Sequence, residues 1–481
     1  MRRRVLEALS QRGILIEPDA VDLLCKQPNA LQLVENILYK TESGSPMILA
    51  LGDLESLLKQ QAATPVIHDL NLMTKARIRP ERSKNILIKR DITGNSTSVG
   101  DISNFAKLFQ DRYRTIKRML LHRRELQGNI SITKARKTSE REVRIIGIVK
   151  DVKITKNGHR MIEMEDEEDV VPVLVLKTSK AFSDVVVNDE IVGIVGKPAK
   201  SGGMIVADEV VRPDVPIGSG MSKNDSQAWA VFAGDVHMGS NTFLKDQWND
   251  FLGWLKTSAE ARDVKYLIMP GDLVDGIGIY PDQEDELLID DIYKQYETLA
   301  EQLKGVRDDI SIIAAPGNHD AVRLAEPQPA LPESIRKFFD SNVTMVGNPS
   351  LIEIEGRNIL IYHGRSFDDW IQAIPGLSYA KPLEVMRDML RRRHLAPIYG
   401  ERTAIAPEER DYMVIEEVPD IFVTGHVHHA GVGDYRGVVM INSSAWQSQT
   451  SFQKMHNQEP DPCKAFMIHL GTGKAKVLNF N

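Results

Sequence analysis

The chain has 481 residues, a length that favours about three domains over a single core. Its net charge of -7 excludes a protein that binds nucleic acid through bulk positive charge, so any such contact must use local patches. Only two cysteines and no apolar run of roughly 18 residues occur, which argues against a disulfide framework and a membrane span and favours a cytoplasmic protein.

Residues 1–60 are predicted to form a small helical N-terminal domain. Apolar residues recur at helical spacing in three segments, at 5–9, 20–24 and 31–38, and turn-forming residues separate them. Such a domain either binds a partner or has no assignable role, and the pattern does not choose between these two interpretations.

Residues 61–140 are predicted to contain a linker and then a basic helix. Turn-forming residues dominate Asp91–Gly100, which is typical of a linker. The helix that follows is apolar on one face, and its other face carries basic residues such as Lys107, Arg112 and Arg114. A basic helix face is usually just solvated, and a contact with nucleic acid is the alternative.

Residues 141–216 change to an alternating pattern that predicts about five short strands. Asn157-Gly158 between two of these strands is a strong hairpin signal. Five short strands in this length indicate a small closed barrel, and an OB-fold β-barrel is the architecture they suggest first. OB-folds often bind single strands by stacking bases on aromatic side chains, but such residues are scarce here, which favours a structural role.

Residues 228–481 alternate strands with helices and predict an α/β domain with its own core. Helices are expected at 243–261, 286–303, 331–339 and 382–393. Five of the predicted strands end in polar clusters, and ligands of open α/β sheets bind beyond such strand ends. The clusters are Gly234–His237, Gly271–Asp275, Gly317–Asp320, His363–Ser366 and Gly425–His429.

The residue types in these clusters are those of a metal site. In an extended segment Asp235 and His237 point to the same side, and so do His426 and His428. Imidazole, carboxylate and amide groups together suit Mn²⁺, Fe²⁺ or Zn²⁺. Because thiolates are missing from the set, a structural zinc site of the cysteine kind is excluded.

The clusters resemble the motifs of calcineurin-like metallophosphoesterases, which read D-x-H, G-D, G-N-H-D/E, H and G-H-x-H. The resemblance implies an α/β metallophosphoesterase sandwich, preceded in this multidomain chain by the barrel and the helical domain. It also implies two divalent metal ions, with Mn²⁺ expected first. One ion would be held by Asp235, His237, Asp272 and His428. The other would be held by Asp272, Asn318, His363 and His426.

The same resemblance gives His319 a catalytic role. This histidine would stabilise the transition state or protonate the leaving oxygen, both of which suit an imidazole near neutral pH. Asp320 follows it directly and is expected to orient it as the second catalytic residue. Asp275 and His429 are adjacent polar residues, which we expect to support the site rather than to bind metal.

The order of domains resembles the small subunits of archaeal family D DNA polymerases. Local matches are Asp91–Gly94, Tyr362–Ser366 and Trp446–Gln453. This resemblance implies a 3′–5′ proofreading exonuclease that acts on single-stranded or primer-terminus DNA. It also implies a heterodimer with a large catalytic polymerase subunit, and other replisome proteins are further candidate partners.

Two alternatives remain from other classes. A free-standing metallophosphoesterase acting on a small substrate has no obvious use for the barrel and the N-terminal domain. A non-catalytic polymerase scaffold has no need for a complete set of ligands. For DNA contacts the candidates are Arg365, Arg391, Arg392 and Arg393, although the last three are equally typical of a solvated helix end.

Overall fold

A computed structural model describes residues 86–98, 101–138, 140–199, 202–218 and 220–481, together with two short N-terminal strands. The chain divides into two compact units, 1–78 and 79–481. In the first unit β1 (Leu15–Ile16) and β2 (Ile48–Leu49) pair in parallel. The rest of the predicted helical domain, and the linker up to residue 85, lie outside the described residues.

The segment before the barrel is folded onto the rest of its unit. It contains β3 (Ile86–Arg90), α1 (Ser103–Leu121) and α2 (Ile132–Lys137). β3 pairs antiparallel with residues 351–354, and the Asp91 carboxylate accepts a hydrogen bond from the Gly347 N–H at 2.9 Å. The linker prediction is therefore wrong over residues 91–98, because Asp91, Ser96 and Thr97 hydrogen-bond to the last domain, although residues 93–97 are exposed.

Three cations on the basic side of α1 have acidic partners from other parts of the unit. The ion pairs are Lys107–Glu409, Arg112–Asp411 and Arg114–Glu167. Arg112 is fully buried, and its Nε donates to the Asp411 carboxylate at 2.6 Å. These three side chains thus connect α1 to the barrel and to the last domain, and their charges are compensated there.

The barrel prediction is confirmed, because five strands close on themselves. They are β4 (Val143–Ile154), β5 (Arg160–Glu165), β6 (Val170–Val175), β7 (Ile191–Pro198) and β8 (Ile205–Val211). The order around the barrel is β4-β5-β6-β8-β7, and β6 with β8 is the parallel pair. The turn at Asn157-Gly158 joins β4 to β5 as predicted, with Gly158 at a φ of 77°.

Together with β3, the last domain forms two six-stranded sheets. The first has the order β12-β11-β10-β9-β18-β19 and the second β16-β17-β15-β14-β13-β3. The strands are β9 (Trp229–Phe232), β10 (Val264–Met269), β11 (Ser311–Ala314), β12 (Val343–Met345), β13 (Ser350–Ile354), β14 (Arg357–Ile361), β15 (Ile421–Thr424), β16 (Gly431–Tyr435), β17 (Val438–Asn442), β18 (Lys464–His469) and β19 (Ala475–Asn479).

Helices cover the outer faces of both sheets. They are α3 (Lys245–Thr257), α4 (Ile292–Leu303), α5 (Glu333–Arg336), α6 (Phe367–Ala373) and α7 (Pro382–Arg392). A further short helix, α8 (Ser451–Met455), has no buried residue. Buried residues of α3 recur three and four positions apart, as an amphipathic helix on a sheet requires, and pack with α4 on the first sheet. α6 and α7 pack on the second sheet.

Among the described residues, no helix is long and apolar enough to cross a bilayer.

The two sheets share an apolar layer. Phe232 and Ile268 of the first sheet belong to the same fully buried cluster as Ile361 and Val423 of the second. Strands that are buried on both faces read as continuous apolar runs, which is why these segments are visible in the sequence. The shared layer holds the carboxyl ends of strands from both sheets close together.

Candidate active site

The predicted ligands follow the carboxyl ends of parallel strands from both sheets. In the first sheet β9, β10 and β11 are neighbours and lead to Asp235 and His237, to Asp272, and to Asn318 and His319. In the second sheet β14 and β15 are neighbours and lead to His363, and to His426 and His428. The fold therefore brings all the sequence-predicted ligands to one edge.

The backbone turns sharply where most of these ligands stand. Positive φ angles occur at Asp235 (51°), His237 (51°), Asp272 (47°), His426 (71°) and His428 (54°). Such left-handed residues cost roughly 1–3 kcal/mol each and cluster at functional sites. The prediction that extended segments present these pairs together is therefore wrong, because the side chains converge through strained turns instead.

Two glycines allow the loops to approach one another. A Cβ atom on Gly317 would clash with the Asp272 carboxylate, and one on Gly425 would clash with the carboxylate of Asp235. These two glycines are therefore needed because a side chain at either position would occupy the space of a carboxylate from a neighbouring loop.

Three groups of side chains could each hold a metal ion. Two correspond to the predicted ion sites, namely Asp235, His237 and His428, and Asp272, His363 and His426. The third, His237, Asp272 and His319, overlaps both. Within each group the potential ligand atoms lie within 4.8 Å of one another. Asp272 Oδ2 lies 3.2 Å from His363 Nε2 and 3.7 Å from His237 Nε2, so this carboxylate stands between the two groups.

The donor set fits a divalent first-row ion. His363 Nδ1 lies 3.1 Å from the carbonyl oxygen of Pro270 and so carries the proton of the neutral ring. Its Nε2 lone pair then faces Asn318 Oδ1 at 3.0 Å and Asp272 Oδ2 at 3.2 Å. Electron-pair donors that face one another in a buried site require a proton or a metal ion between them, and nitrogen with oxygen ligands suits Mn²⁺, Fe²⁺ or Zn²⁺.

The pKa values of His363 and Asp235 are both raised, so these groups hold protons where a cation is missing. Burial disfavours the imidazolium of His363, but the carboxylate of Asp272 outweighs burial and raises the pKa of His363 to about 9. Burial, together with the negative charge of Asp272, raises the pKa of Asp235 to about 7. Without a cation, the site therefore takes up protons near neutral pH.

We expect metal binding to compete with these protons. Below a pH of about 9 at least the His363 proton must leave before a metal ion can bind, so Mn²⁺ affinity should fall about tenfold for each pH unit below that value. Below a pH of about 7 the Asp235 proton adds to this loss. Calorimetric titrations across this range, in buffers of different ionisation enthalpy, measure both the affinity and the protons released. A Mn²⁺ affinity that does not change with pH would contradict the expectation.

His319 is held by the loop after β10. Its Nδ1 lies 2.7 Å from the carbonyl oxygen of Asp275, and its backbone N–H donates to Asp272 Oδ1 at 2.9 Å. Burial lowers the pKa of His319, and the negative charge of Asp272 opposes this shift in part. The backbone carbonyl of Asp275 thus fixes the His319 ring through Nδ1, and Nε2 of the same ring takes no part in this contact.

Asp320 does not orient His319, so that prediction is wrong. Its carboxylate accepts hydrogen bonds from the backbone N–H groups of Gly317 at 2.8 Å and Leu273 at 3.1 Å, and from the Tyr296 hydroxyl at 2.8 Å. The side chain turns back into its own loop because these three donors converge there. Asp320 therefore joins the loop that carries Asn318 to the loop that carries Asp272.

A further set of polar side chains supports the ligands from outside. Asp275 Oδ1 lies 3.0 Å from His237 Nδ1 and accepts from Gln447 Nε2, also at 3.0 Å. Gln453 Nε2 lies 3.0 Å from His428 Nδ1. Sequence reasoning missed these two glutamines, because their segment stood out by family resemblance alone. The signal that could have found them is the density of amide side chains directly after a buried strand.

The four arginines proposed for DNA divide between the surface and the interior. Arg392 and Arg393 are only 3% and 5% exposed, and they bind acidic and carbonyl groups inside the unit. The predicted solvated or DNA-binding role is therefore wrong for these two. Arg391 is partly exposed and pairs with Asp184 at 2.9 Å. Arg365 is also partly exposed and pairs with Asp368 at 2.9 Å, beside His426.

Comparisons with known proteins agree with this architecture. The profile of the DNA polymerase alpha/epsilon B-subunit family matches residues 230–432. The DNA polymerase II small subunit of Thermoplasma acidophilum is 36% identical, over 100% of this chain and 93% of that protein. The DNA polymerase II small subunit of Methanothermobacter thermautotrophicus is 40% identical, over 99% of both chains.

A third relative has the same description. The DNA polymerase II small subunit of Archaeoglobus fulgidus is 40% identical, over 94% of this chain and 92% of that protein. Identities of this size over nearly whole chains confirm the resemblance to the family D polymerases. The chain belongs to the DNA polymerase II small subunits, the small subunits of the archaeal family D DNA polymerases.

Proposed function

We propose that this chain is the 3′–5′ exonuclease subunit of its polymerase and hydrolyses the terminal phosphodiester of single-stranded DNA, as proofreading requires. The observation that carries the proposal is the position of Asp272 between two buried groups of ligands. Five of the predicted ligand positions have strained backbones, which a non-catalytic scaffold would have no reason to keep. This feature favours an active nuclease over a scaffold.

The proposed mechanism uses two divalent ions, with Mn²⁺ expected first. Bound at the two groups, such ions supply a water of lowered pKa and positive charge beside the phosphate oxygens. Asp272 fixes the distance between the groups, and Asp275 holds the His237 ring in the orientation that leaves Nε2 for the metal. The chain's own contribution is thus a rigid and strongly desolvated cradle for the phosphodiester.

His319 acts on the leaving group in this proposal. Its Nδ1–H is bound to the Asp275 carbonyl oxygen, so Nε2 is the nitrogen that can hold a proton or a hydrogen bond toward the departing 3′ oxygen. Lying in one group with His237 and Asp272, the ring is next to both sets of ligands. Arg365, partly exposed beside His426, is the arginine we retain for contact with a DNA phosphate.

The remaining assignments concern the other domains and partners. We propose that the barrel over residues 141–216 is an OB-fold, since its strand order is β4-β5-β6-β8-β7. The phosphoesterase domain would cover residues 228–481, and the helical domain residues 1–60. The chain would act in the cytoplasm as a heterodimer with the large catalytic polymerase subunit, at single-stranded or primer-terminus DNA.

A nuclease assay with a histidine variant tests the proposed chemistry. With Mn²⁺ and 5′-labelled single-stranded DNA, the chain with its large subunit should shorten the strand from its 3′ end, and chelation of the metal should stop it. His319→Gln should slow this reaction about 10²–10⁴-fold, which is the usual contribution of a positioned acid or base. His122→Gln, at an exposed histidine after α1, is the matched control. Unchanged digestion by His319→Gln would refute the role of His319.

The same assay separates the alternatives. A wild-type complex that leaves DNA intact while hydrolysing a small phosphodiester would favour the small-substrate enzyme. A complex that hydrolyses neither compound would favour the scaffold.

A further inference from the structure

A row of aromatic rings leads from the candidate active site to the surface. The centroid of the Tyr280 ring lies 6.4 Å from that of His319 and 5.7 Å from that of Phe452. The Phe452 ring in turn lies 4.2 Å from that of His456. We call Tyr280, Phe452 and His456 the aromatic rim. The assigned ligands and His319 do not need these rings, and the mechanism above does not use them.

The rim is anchored to the ligands. Phe452 lies on α8, and the next residue of that helix, Gln453, contacts the ligand His428 at 3.0 Å. Thr450 caps α8 through a reciprocal pair of hydrogen bonds with Gln453, which fixes the start of the helix. On the other side the Tyr280 hydroxyl donates to Glu286 at 3.0 Å. The rings are therefore held in place relative to the ligands.

The rings of Phe452 and His456 are exposed, and the ring of Tyr280 is half-buried. Phe452 is 39% exposed, and Met455 on the same helix is 76% exposed. An exposed aromatic ring beside a catalytic site is a surface on which a flat group can stack.

The charges around the rim indicate which part of a nucleic acid would lie there. The segment Asp282–Glu286 begins two residues after Tyr280 and contains four acidic residues, of which Asp282, Glu284 and Asp285 are exposed. These carboxylates repel a phosphate backbone but not an uncharged base. The Tyr280 end of the rim is therefore suited to bases, and the side with Arg365 is suited to phosphate.

We propose that Tyr280 and Phe452 form a stacking platform for the unpaired bases at the 3′ end of the DNA strand. The inference rests on the proposed exonuclease function and adds a means of selecting the substrate. A base must leave its duplex before it can stack on the rim. A mismatched or frayed terminus gives up its pairing at lower cost, so it reaches the site more readily than a paired one.

Binding measurements on the full-length chain test the platform. The probes are two single-stranded oligonucleotides of equal length, one with bases throughout and one with abasic residues at the last two 3′ positions. Ca²⁺ replaces Mn²⁺ so that the strands are not consumed. Wild type should prefer the complete strand by about fivefold or more, which is the usual effect of stacking one base on an aromatic side chain. Phe452→Leu and Tyr280→Leu should bring this ratio close to one.

The matched control is Tyr293→Leu, at an exposed tyrosine on α4 that packs on Phe338 rather than on the rim. This variant should keep the wild-type ratio. A wild-type ratio near one, or a ratio that survives in both rim variants, would overturn the proposal. Unchanged ratios together with weaker co-purification of the large subunit from the rim variants would overturn it in favour of a protein-binding rim.

Failure of the platform and failure of the exonuclease function give different results. Digestion of DNA by wild type with Mn²⁺ tests the exonuclease function alone. If wild type digests DNA but shows no preference for terminal bases, the platform is refuted and the exonuclease function stands. If it shows the preference without digestion, the platform stands as a binding site and the exonuclease function falls.

Discussion

Asp272→Asn should reduce Mn²⁺-dependent digestion of single-stranded DNA by at least about 10³-fold. The Asp272 carboxylate is the group that stands between both sets of ligands, and a metal ion in such a site supplies several kcal/mol of transition-state stabilisation. Asparagine has the same shape and tolerates the left-handed φ of 47° at this position, so the loop should survive. Initial rates of nucleotide release measure the effect.

Metal binding provides a second readout for this variant. Without the shared carboxylate the chain should retain at most one Mn²⁺ ion, which elemental analysis after dialysis can count. The matched control is Asp263→Asn, which makes the same change at an exposed position directly before β10, at the opposite end of that strand from Asp272. It should keep near wild-type rates and stoichiometry. Full activity or full metal content in Asp272→Asn would show that this carboxylate does not join two ions.

The identity of the candidate ligands was accessible from the sequence because strand ends are visible there. The apolar runs before Asp235, Asp272 and Asn318 are buried on both faces, so they stand out as continuous segments. The role of Asp320 was not accessible. Whether a carboxylate turns toward the neighbouring ring or back into its own loop depends on backbone donors from a distant part of the chain.

In the fold, too, the features set by local sequence were predictable, and those set by distant parts of the chain were not. The five barrel strands and the hairpin at Asn157-Gly158 follow from alternation and turn chemistry, which are local. The place of β3 in the second sheet does not, because its partner β13 lies more than 250 residues later in the chain. Helix positions were also predicted, but α3 begins and ends inside its predicted range and α4 begins six residues after its predicted start, since apolar periodicity extends beyond the helix ends.

The basic run 391–393 resembles a solvated helix end in the sequence, but Arg392 belongs to a buried network of ion pairs. Glu190 lies between the guanidinium groups of Arg212 at 2.7 Å and Arg392 at 3.1 Å, and the side chains of all three residues are at most 3% exposed. Burial alone would raise the pKa of Glu190, but the two guanidinium groups outweigh burial and lower it. Glu190 and Arg212 belong to the barrel segment and Arg392 ends α7, so the network connects the barrel to the last domain.

Glu190→Gln should therefore destabilise the unit formed by residues 79–481 by about 3 kcal/mol, the low end of the cost of breaking a buried ion pair. It removes the buried charge that Arg212 and Arg392 share, and it leaves them only the more exposed carboxylates of Asp184 and Asp388. For a unit of about 400 residues that unfolds cooperatively, this loss corresponds to a fall of about 4 °C in melting temperature. Scanning calorimetry of the full-length chain measures it. The control is Glu167→Gln, which removes the exposed partner of Arg114 and should cost under about 1 kcal/mol.

The pH dependence gives an independent check on this network. The lowered pKa of Glu190 means that its contribution to stability is present above the ordinary glutamate pKa and is lost as the pH falls through the folded-state value. The difference in melting temperature between wild type and Glu190→Gln should therefore narrow in acid, as wild type itself becomes protonated. Equal melting temperatures of the two Gln variants at neutral pH would show that the two arginines do not depend on Glu190.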